Sequence, residues 1–249
     1  MSEILLTRAD GVLTIRLARP QKKNALTAAM YEAMIAAFAE AEADPQIGAI
    51  LIRGGDGAFT AGNDIQDFIA AAQAPGDMAA MRFVEALACL EKPLIAAIEG
   101  VAVGVGATLI LHCDLVYAAP DARFSMPFVD LGLVPEAGSS LLLPQRIGMA
   151  RASEILLLGE AISAEDAHRL GLVNEVLPAE RLYDHAQARA ATLAAKPRAA
   201  VAATRRLLRG DRADLHAQMQ REGQAFSQAL KSGEAQKAFM AFMARSKGL

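Results

Sequence analysis

Three short runs of almost wholly apolar residues constrain the fold of this chain more than any other feature. They span residues 47–52, 94–98 and 115–118, and each is bounded by Gly, Pro or Asp. Runs of this length and composition are typical of strands buried on both faces, as in a parallel sheet covered by helices. A loop or the start of a helical pattern follows each run, so strands and helices alternate. The sequence therefore predicts an α/β fold.

Local signals define the elements around these runs. Asp10-Gly11 separates two apolar stretches, residues 4–6 and 12–17, and predicts a β-hairpin. Residues 27–43 carry apolar side chains at helical spacing and predict an amphipathic helix. After Pro197 the pattern is helical to the end of the chain.

Length and composition favour one domain. A chain of 249 residues that is 53% hydrophobic can bury one sizeable core, and no flexible linker or repeat divides it. We expect an α/β core over residues 1–195 and a helical C-terminal region over residues 196–249. The two regions belong to the same domain in this interpretation, and the C-terminal helices pack on the core or on another subunit.

Charge and cysteine content exclude several classes of protein. A net charge of -3 gives no basic excess for nucleic acid, and charges or prolines interrupt every apolar run before it reaches membrane-spanning length. Cys89 and Cys113 sit in apolar runs without a metal-binding pattern, so we expect both to be buried, reduced thiols and expect no metal site. The four histidines are scattered, which favours structural or surface roles. These features predict a soluble, cytoplasmic protein.

The glycine-rich segment 100–106 favours close approach of backbone to a ligand. A dinucleotide-binding loop is disfavoured because the third glycine of that fingerprint would fall at Leu109. Glycines let backbone amides approach a ligand, and the helix predicted to start at residues 107–111 would favour negative charge at its N-terminus. A plain tight turn that feeds a buried helix is the alternative.

The segment 60–64 offers a second set of amides. It follows the first buried run and a turn-rich stretch at 54–57, with Phe59 as an apolar anchor. Ala61 and Gly62 are small and leave neighbouring amides accessible. Asp64 precedes an amphipathic stretch, so we interpret it as the cap of a helix that begins near Ile65.

The turn at 134–138 offers one carboxylate, Glu136. An acyl thioester that loses a proton next to its carbonyl group needs amides for the charge on the oxygen and a base for the proton. Together the three segments supply the amides and the base that this reaction needs, and they indicate an enzyme. Taken alone, a Pro-Glu pair is more often a helix start stabilised by the helix dipole, and that alternative applies to Glu136.

These segments, in this order, resemble the crotonase (enoyl-CoA hydratase/isomerase) superfamily. The resemblance rests on Ala-Gly-Asn-Asp at 61–64, Gly-Val-Ala-Val-Gly-Val-Gly-Ala at 100–107 and Pro-Glu-Ala-Gly at 135–138, with support from 19–26 and 92–98. It covers nearly the whole chain. It implies a crotonase-like spiral of ββα units with a helical C-terminal region, assembled as a homotrimer or a hexamer made of two trimers.

The resemblance also implies an oxyanion hole made of two backbone N–H groups, which fall here at Ala61 and Val105. Many members of the superfamily carry glycine at the position of Val105. Because only the amide is needed, valine does not remove the function. Losing one such donor typically lowers the rate about a hundred- to a thousandfold.

The carboxylates distinguish the possible reactions. Hydratases of the superfamily use two glutamates, and the corresponding positions here are Thr108 and Phe128, which cannot act as acid or base at neutral pH. Glu136 instead matches the single catalytic glutamate of the peroxisomal-type 3,2-enoyl-CoA isomerases. One carboxylate suffices for a 1,3-proton shift, provided that apolar walls such as Phe128 raise its proton affinity.

Further residues are implied to bind the substrate. Cationic side chains near the N-terminus suit the phosphates of coenzyme A, although that loop could equally be solvated, and Lys237 or another base of a C-terminal helix is a further candidate. No cofactor is implied beyond the coenzyme A of the substrate. The implied binding residues are Lys22, Lys23, Asn24, Ala25, Thr60, Gly62, Asn63, Asp64, Ile65, Gly104 and Phe128.

Three alternatives to a 3,2-enoyl-CoA isomerase stay open. Within the superfamily, an isomerase of ring or epoxide acyl-CoA in aromatic-acid breakdown could use an acid at Glu136, and a residual hydratase is also possible. A non-catalytic acyl-CoA-binding scaffold belongs to a different class, and the presence of Glu136 argues against it.

Overall fold

A computed structural model describes residues 3–73 and 78–246 of the chain. Within these residues the strands form two sheets, one of six strands in the order β1-β2-β3-β4-β6-β9 and one of three strands in the order β5-β7-β8. The strands are β1 (Ile4–Ala9), β2 (Val12–Leu17), β3 (Ala49–Arg53), β4 (Leu94–Ile98), β5 (Val101–Val103), β6 (Leu115–Ala118), β7 (Arg123–Ser125), β8 (Ile162–Ser163) and β9 (Glu175–Val176).

The larger sheet confirms the interpretation of the apolar runs. β2, β3, β4, β6 and β9 are parallel, and only β1 is antiparallel to its neighbour. Every residue of β4 is buried, as expected of a strand covered on both faces. The predicted hairpin joins β1 to β2, with Asp10 and Gly11 at φ values of 53° and 73°, the left-handed conformation that such two-residue turns require.

Helices cover both faces of the large sheet and form the C-terminal region. The helices are α1 (Ala28–Ala43), α2 (Ile65–Gln73), α3 (Ala79–Cys89), α4 (Val105–Thr108), α5 (Ser139–Ile147), α6 (Met149–Leu158), α7 (Ala164–Arg169), α8 (Ala179–Ala194), α9 (Arg198–Arg209), α10 (Ala213–Leu230) and α11 (Gly233–Ser246). The predicted helix 27–43 is confirmed, because α1 buries its apolar stripe and the Thr27 hydroxyl caps it by accepting from the Met30 amide at 3.3 Å.

Two sequence predictions are wrong: the first residue of the helix after the glycine segment and the burial of Cys89. The helix after the glycine segment begins at Val105 and not at Ala107, because Gly104, at a φ of 55°, ends β5 and its carbonyl accepts the amides of Ala107 and Thr108. Cys89 is exposed, since it ends α3 on the face opposite the core, whereas Cys113 is buried as expected.

The C-terminal helices fold back onto the core. Phe226 of α10 and Phe239 of α11 are buried and pack against Phe68 of α2, with ring centroids 6.1 and 6.5 Å away. The predicted boundary at residue 195 lies at the end of α8, and residues 247–249 of the predicted C-terminal region lie outside the described residues. Across the described part of the chain, no helix is long and apolar enough to span a membrane.

Candidate active site

Glycines bring the two amide-bearing segments together. A Cβ atom on Gly62 would lie 2.9 Å from the Val103 carbonyl oxygen, and one on Gly106 would lie 2.3 Å from the Thr60 methyl group. Thr60 also bridges β5, since its amide donates to the Val101 carbonyl at 2.9 Å and its carbonyl accepts from the Val103 amide at 3.0 Å. The segments 60–63 and 104–106 therefore lie side by side, because neither glycine has a side chain that would keep them apart.

The structure corrects the first predicted oxyanion donor. The amide of Ala61 donates to the Lys23 carbonyl at 2.9 Å and is not available to a ligand. Two residues further on, Asn63 forms a parallel bridge with Leu26. In this bridge the Leu26 amide donates to the Gly62 carbonyl and the Leu26 carbonyl accepts from the Asp64 amide, so the Asn63 amide takes no part. Because alternate amides of an extended segment point to opposite sides, the Asn63 N–H points away from Leu26 and has no partner among the described residues.

Val105 offers the second amide. It is the first residue of α4, so its N–H has no acceptor within the helix, and none exists elsewhere in the described ranges. Its neighbour Gly104 carries no side chain over this amide, and a Cβ there would meet nothing within 4 Å. Asn63 and Val105 thus present one free N–H group from each of the neighbouring segments.

Glu136 is a buried acid with a perturbed proton affinity. Only 6% of the residue is exposed, and its Oε1 accepts a hydrogen bond from the Thr108 hydroxyl at 2.5 Å. Burial raises the pKa of Glu136 to about 7, the hydrogen bond from Thr108 opposes that rise, and the charge of Glu222 adds to it. A carboxyl group of this kind can take and return a proton near neutral pH.

The alternative interpretation of Glu136 as a helix-start residue is wrong. α5 begins at Ser139, three residues later, and no acid lies in its first turn. Ala137 and Gly138 follow Glu136 at φ values of 57° and 70°, so the chain turns sharply before the helix begins. This turn directs the Glu136 side chain inward, to Thr108.

Buried groups hold that turn in place. His112 Nε2 donates to the Ala137 carbonyl at 2.7 Å, and burial lowers the pKa of His112 to about 4, which keeps the imidazole neutral. Glu222 of α10 accepts from the Gly138 amide at 2.6 Å. Sequence reasoning expected a structural role for the histidine and missed Glu222, which lies 84 residues further along the chain.

A cavity of about 1240 Å³ opens beside Glu136 and Ala137. α3, α10 and α11 supply most of its lining, and Arg82, Glu85 and Lys231 are among its charged residues. Lys231, the residue that follows α10, lies in this lining, whereas Lys237 of α11 does not. The apolar side chains that line the cavity are Ile69, Met78, Met81, Val84, Met219, Phe226, Leu230, Phe239, Met240 and Met243.

Three of the predicted binding residues have structural roles for their side chains. Asn24 is fully buried, accepting from the Arg19 amide and donating to the Ala58 carbonyl, both at 2.8 Å. The buried Thr60 hydroxyl donates to the Asn24 carbonyl at 2.7 Å. Phe128 is buried in the core and is absent from the described residues that line the cavity, so its predicted place as a wall beside Glu136 stays a prediction. The polar groups of the Asn24 and Thr60 side chains therefore have protein partners, and a contact of these residues with coenzyme A stays a prediction.

Asp64 confirms its predicted role as a helix cap. Its Oδ1 accepts the amides of Gln66 and Asp67 at 3.1 and 3.2 Å, and its Oδ2 pairs with Arg19 at 2.9 Å. Ile65 is half-buried and starts α2. These contacts fix the loop that carries the free amide at 63.

The remaining predicted binding residues lie around the same loop. Lys22 and Lys23 are exposed, neither pairs with a carboxylate within the described ranges, and Ala25 is half-buried beside them. The side chain of Asn63 accepts from the Tyr31 hydroxyl at 2.6 Å, and burial raises the pKa of Tyr31, so its proton stays in place. Within residues 3–73 and 78–246, no group of three or more His, Cys, Asp or Glu is placed to hold a metal ion.

Comparison with known proteins gives consistent matches. The family described as enoyl-CoA hydratase/isomerase matches residues 7–248. The 1,2-epoxyphenylacetyl-CoA isomerase of Escherichia coli is 40% identical over 205 residues, which cover 79% of this chain and 78% of that protein. The enoyl-CoA delta isomerase 2 of Rattus norvegicus is 34% identical over 249 residues, covering 97% of this chain and 63% of the relative.

Solved structures agree with the fold. The crystal structure of an enoyl-CoA hydratase/isomerase from Pseudoalteromonas atlantica superimposes with a TM-score of 0.93 at 38% identity and covers 98% of both chains. The predicted crotonase-like fold with a helical C-terminal region is thereby confirmed.

Proposed function

The chain belongs to the enoyl-CoA hydratase/isomerase family, and from this premise we propose that it shifts the double bond of a 3-enoyl-CoA to the conjugated 2-enoyl-CoA. The observation that carries the proposal is Glu136, a buried carboxyl group with a pKa of about 7 beside a cavity with many apolar side chains. Thr108 and Phe128 stand where hydratases of the superfamily carry their two glutamates.

In the proposed mechanism the thioester carbonyl oxygen accepts the N–H groups of Asn63 and Val105. Glu136, ionised, removes a proton from the alpha carbon, and the two amides stabilise the resulting dienolate. The same carboxyl group then returns the proton to the gamma carbon, and the double bond becomes conjugated with the carbonyl. Overall one proton moves and no other reactant is consumed.

The apolar side chains that line the cavity suit the acyl chain. Two other acids line this cavity, and neither is available as a second catalyst at the reacting carbons. Glu222 uses both of its oxygens to accept protein hydrogen bonds, and Glu85 is exposed. Hydration, which needs a second acid or base, is therefore disfavoured.

The exposed Lys22 and Lys23 support an extension of the proposal to the other end of the substrate. They lie in the loop whose Lys23 carbonyl holds Ala61, next to the free amide of Asn63. We assign to them the phosphates of coenzyme A, with which unpaired ammonium groups form charge-assisted hydrogen bonds.

A second candidate function is isomerisation of an epoxide of an aromatic acyl-CoA. The 40% identity with the 1,2-epoxyphenylacetyl-CoA isomerase of Escherichia coli favours it. A carboxyl group and two amides that stabilise a thioester enolate could serve this chemistry as well. The two candidates differ in the acyl group and not in the residues that carry the reaction.

A substrate panel tests the proposal. The purified protein is incubated separately with 3-hexenoyl-CoA, crotonyl-CoA and 1,2-epoxyphenylacetyl-CoA, and absorbance and chromatography follow the products. We expect conjugated enoyl thioester from the first substrate and little hydration of the second. Conversion of the epoxide alone would favour the second candidate, rapid hydration of crotonyl-CoA would contradict the single-carboxylate mechanism, and tight binding without turnover would indicate a scaffold.

A further inference from the structure

Glu222 is a buried carboxylate of α10 that the proposed proton transfer does not use. Only 6% of the residue is exposed. Its Oε2 accepts the Gly138 amide at 2.6 Å, and its Oε1 accepts the Ser140 amide at 3.0 Å and the Ser140 hydroxyl at 2.5 Å. Three donors that converge on one carboxylate are the setting in which its negative charge is best stabilised.

These donors belong to the first turn of α5 and to the turn that carries Glu136. The N-terminus of α5 has Gly138 as its cap residue, which offers no side chain to accept the free amides. Glu222 supplies that cap from a different helix, and its charge suits the positive end of the helix dipole. Without it, the buried Gly138 amide and the partly buried Ser140 amide would lose their acceptor.

The peptide bond between Ala137 and Gly138, which follows the acid directly, is clamped at both of its polar groups. His112 holds the carbonyl of Ala137, and Glu222 holds the amide of the next residue, Gly138. Ala137 has a φ of 57°, a conformation that a residue with a side chain adopts only when its surroundings impose it. The direction of the Glu136 side chain therefore depends on both clamps.

We propose that Glu222 is the positioning residue for Glu136: it fixes the turn that aims the proton-transferring carboxyl group and places a negative charge beside it. This inference rests on the proposed function of Glu136. It assigns to α10, in the C-terminal helical region, an indirect part in the proton transfer of the core, through the position and charge environment of Glu136.

Among the charged and titratable groups near Glu136 in the described residues, Glu222 is the one that is both buried and charged. Tyr31 of α1 and His112 are neutral, because burial raises the pKa of the first and lowers that of the second to about 4. Thr108 donates a hydrogen bond and carries no charge. The remaining charged or titratable residues that line the cavity are Arg82, Glu85, His216 and Lys231, none of them among the buried residues.

The test compares Glu222→Gln, Glu222→Ala and the control Asp214→Asn, which removes a carboxylate from an exposed position of the same helix. Two quantities are measured for each protein. One is the pH profile of kcat/KM for 3-hexenoyl-CoA. The other is the carboxyl titration of Glu136 by carbon-13 NMR, assigned through the signal missing in Glu136→Gln, which requires no substrate.

We expect Glu222→Gln to move both midpoints to lower pH, because removing a nearby negative charge makes ionisation of Glu136 easier. Glu222→Ala also removes the cap and should lower kcat about tenfold to a hundredfold through misplacement of the acid. Asp214→Asn should leave both midpoints in place.

Unchanged midpoints in Glu222→Gln would overturn the proposal, as would a full kcat in Glu222→Ala. If the alanine variant does not fold, the glutamine variant decides. A protein without isomerase turnover whose NMR midpoint still falls in Glu222→Gln would refute the proposed function and leave the coupling of the two acids standing.

Discussion

Burial raises the pKa of Glu136, and the hydrogen bond from Thr108, which opposes that rise, should extend the activity of the protein to lower pH. Thr108→Val removes the hydroxyl and keeps the branched shape in a fully buried position. A hydrogen bond to a charged group contributes about 1.5–3 kcal/mol, and about 1.4 kcal/mol corresponds to one pH unit. Losing it disfavours the ionised carboxylate, so the pKa of Glu136 should rise from about 7 by about one to two pH units.

The expected consequence is a displaced activity profile. The base form is the active one, so the acid limb of kcat/KM should move to higher pH. Activity at pH 7 should fall about five- to fiftyfold, and activity at high pH should approach that of the unaltered protein. The assay is the formation of conjugated enoyl thioester from 3-hexenoyl-CoA between pH 5 and pH 10.

A matched control separates this effect from altered packing. Thr14→Val removes another largely buried hydroxyl, one that donates to the neutral amide of Gln187 at 3.1 Å. It should leave the midpoint where it is. An unchanged midpoint in Thr108→Val, or a movement to lower pH, would refute the reasoning that Thr108 stabilises the ionised form of Glu136.

Two further predictions concern stability and thiol chemistry. Because the pKa of Glu136 is about 7 in the folded protein and 4.5 ordinarily, its ionisation opposes folding increasingly between pH 4.5 and 7, by about 3 kcal/mol once complete. Glu136→Gln should therefore raise the free energy of unfolding at pH 8 but not at pH 4, as measured by urea denaturation; equal stability at pH 8 would contradict the burial argument. A thiol reagent should label Cys89 in the native protein and spare Cys113, whose pKa burial raises to about 12; equal labelling of both would contradict the assigned burial.

Local patterns in the sequence predict the elements of this fold well. The buried runs give β3, β4 and β6, Asp10-Gly11 gives the hairpin, and Ser163 caps α7 by accepting the Asp166 amide at 3.0 Å. In each case the deciding physics lies within a few residues, as a burial pattern, a positive φ or a cap. The observed bounds of an element differ from the predicted ones where a neighbouring residue decides them, as at Gly104, after which the helix begins two residues earlier than predicted.

The residues of the functional site also differ in whether a local sequence pattern marks them. Glu136 and Val105 can be located from sequence, because a motif and a helix start mark them. The choice between Ala61 and Asn63 as amide donor depends on which N–H the Lys23 carbonyl takes, and no local pattern encodes that contact. Glu222 is invisible for a similar reason, since its partners in the 138–140 turn are more than 80 residues away.

The central claim is that Glu136 alone moves the proton, and Glu136→Gln tests it most directly. The measurement is kcat for isomerisation of 3-hexenoyl-CoA at pH 8 by the variant and by the unaltered protein, with circular dichroism to confirm that the variant is folded. We predict a loss of about a hundred- to ten-thousandfold, the range typical of a missing general base. Undiminished turnover in a folded variant would contradict the claim and place the proton transfer on another residue.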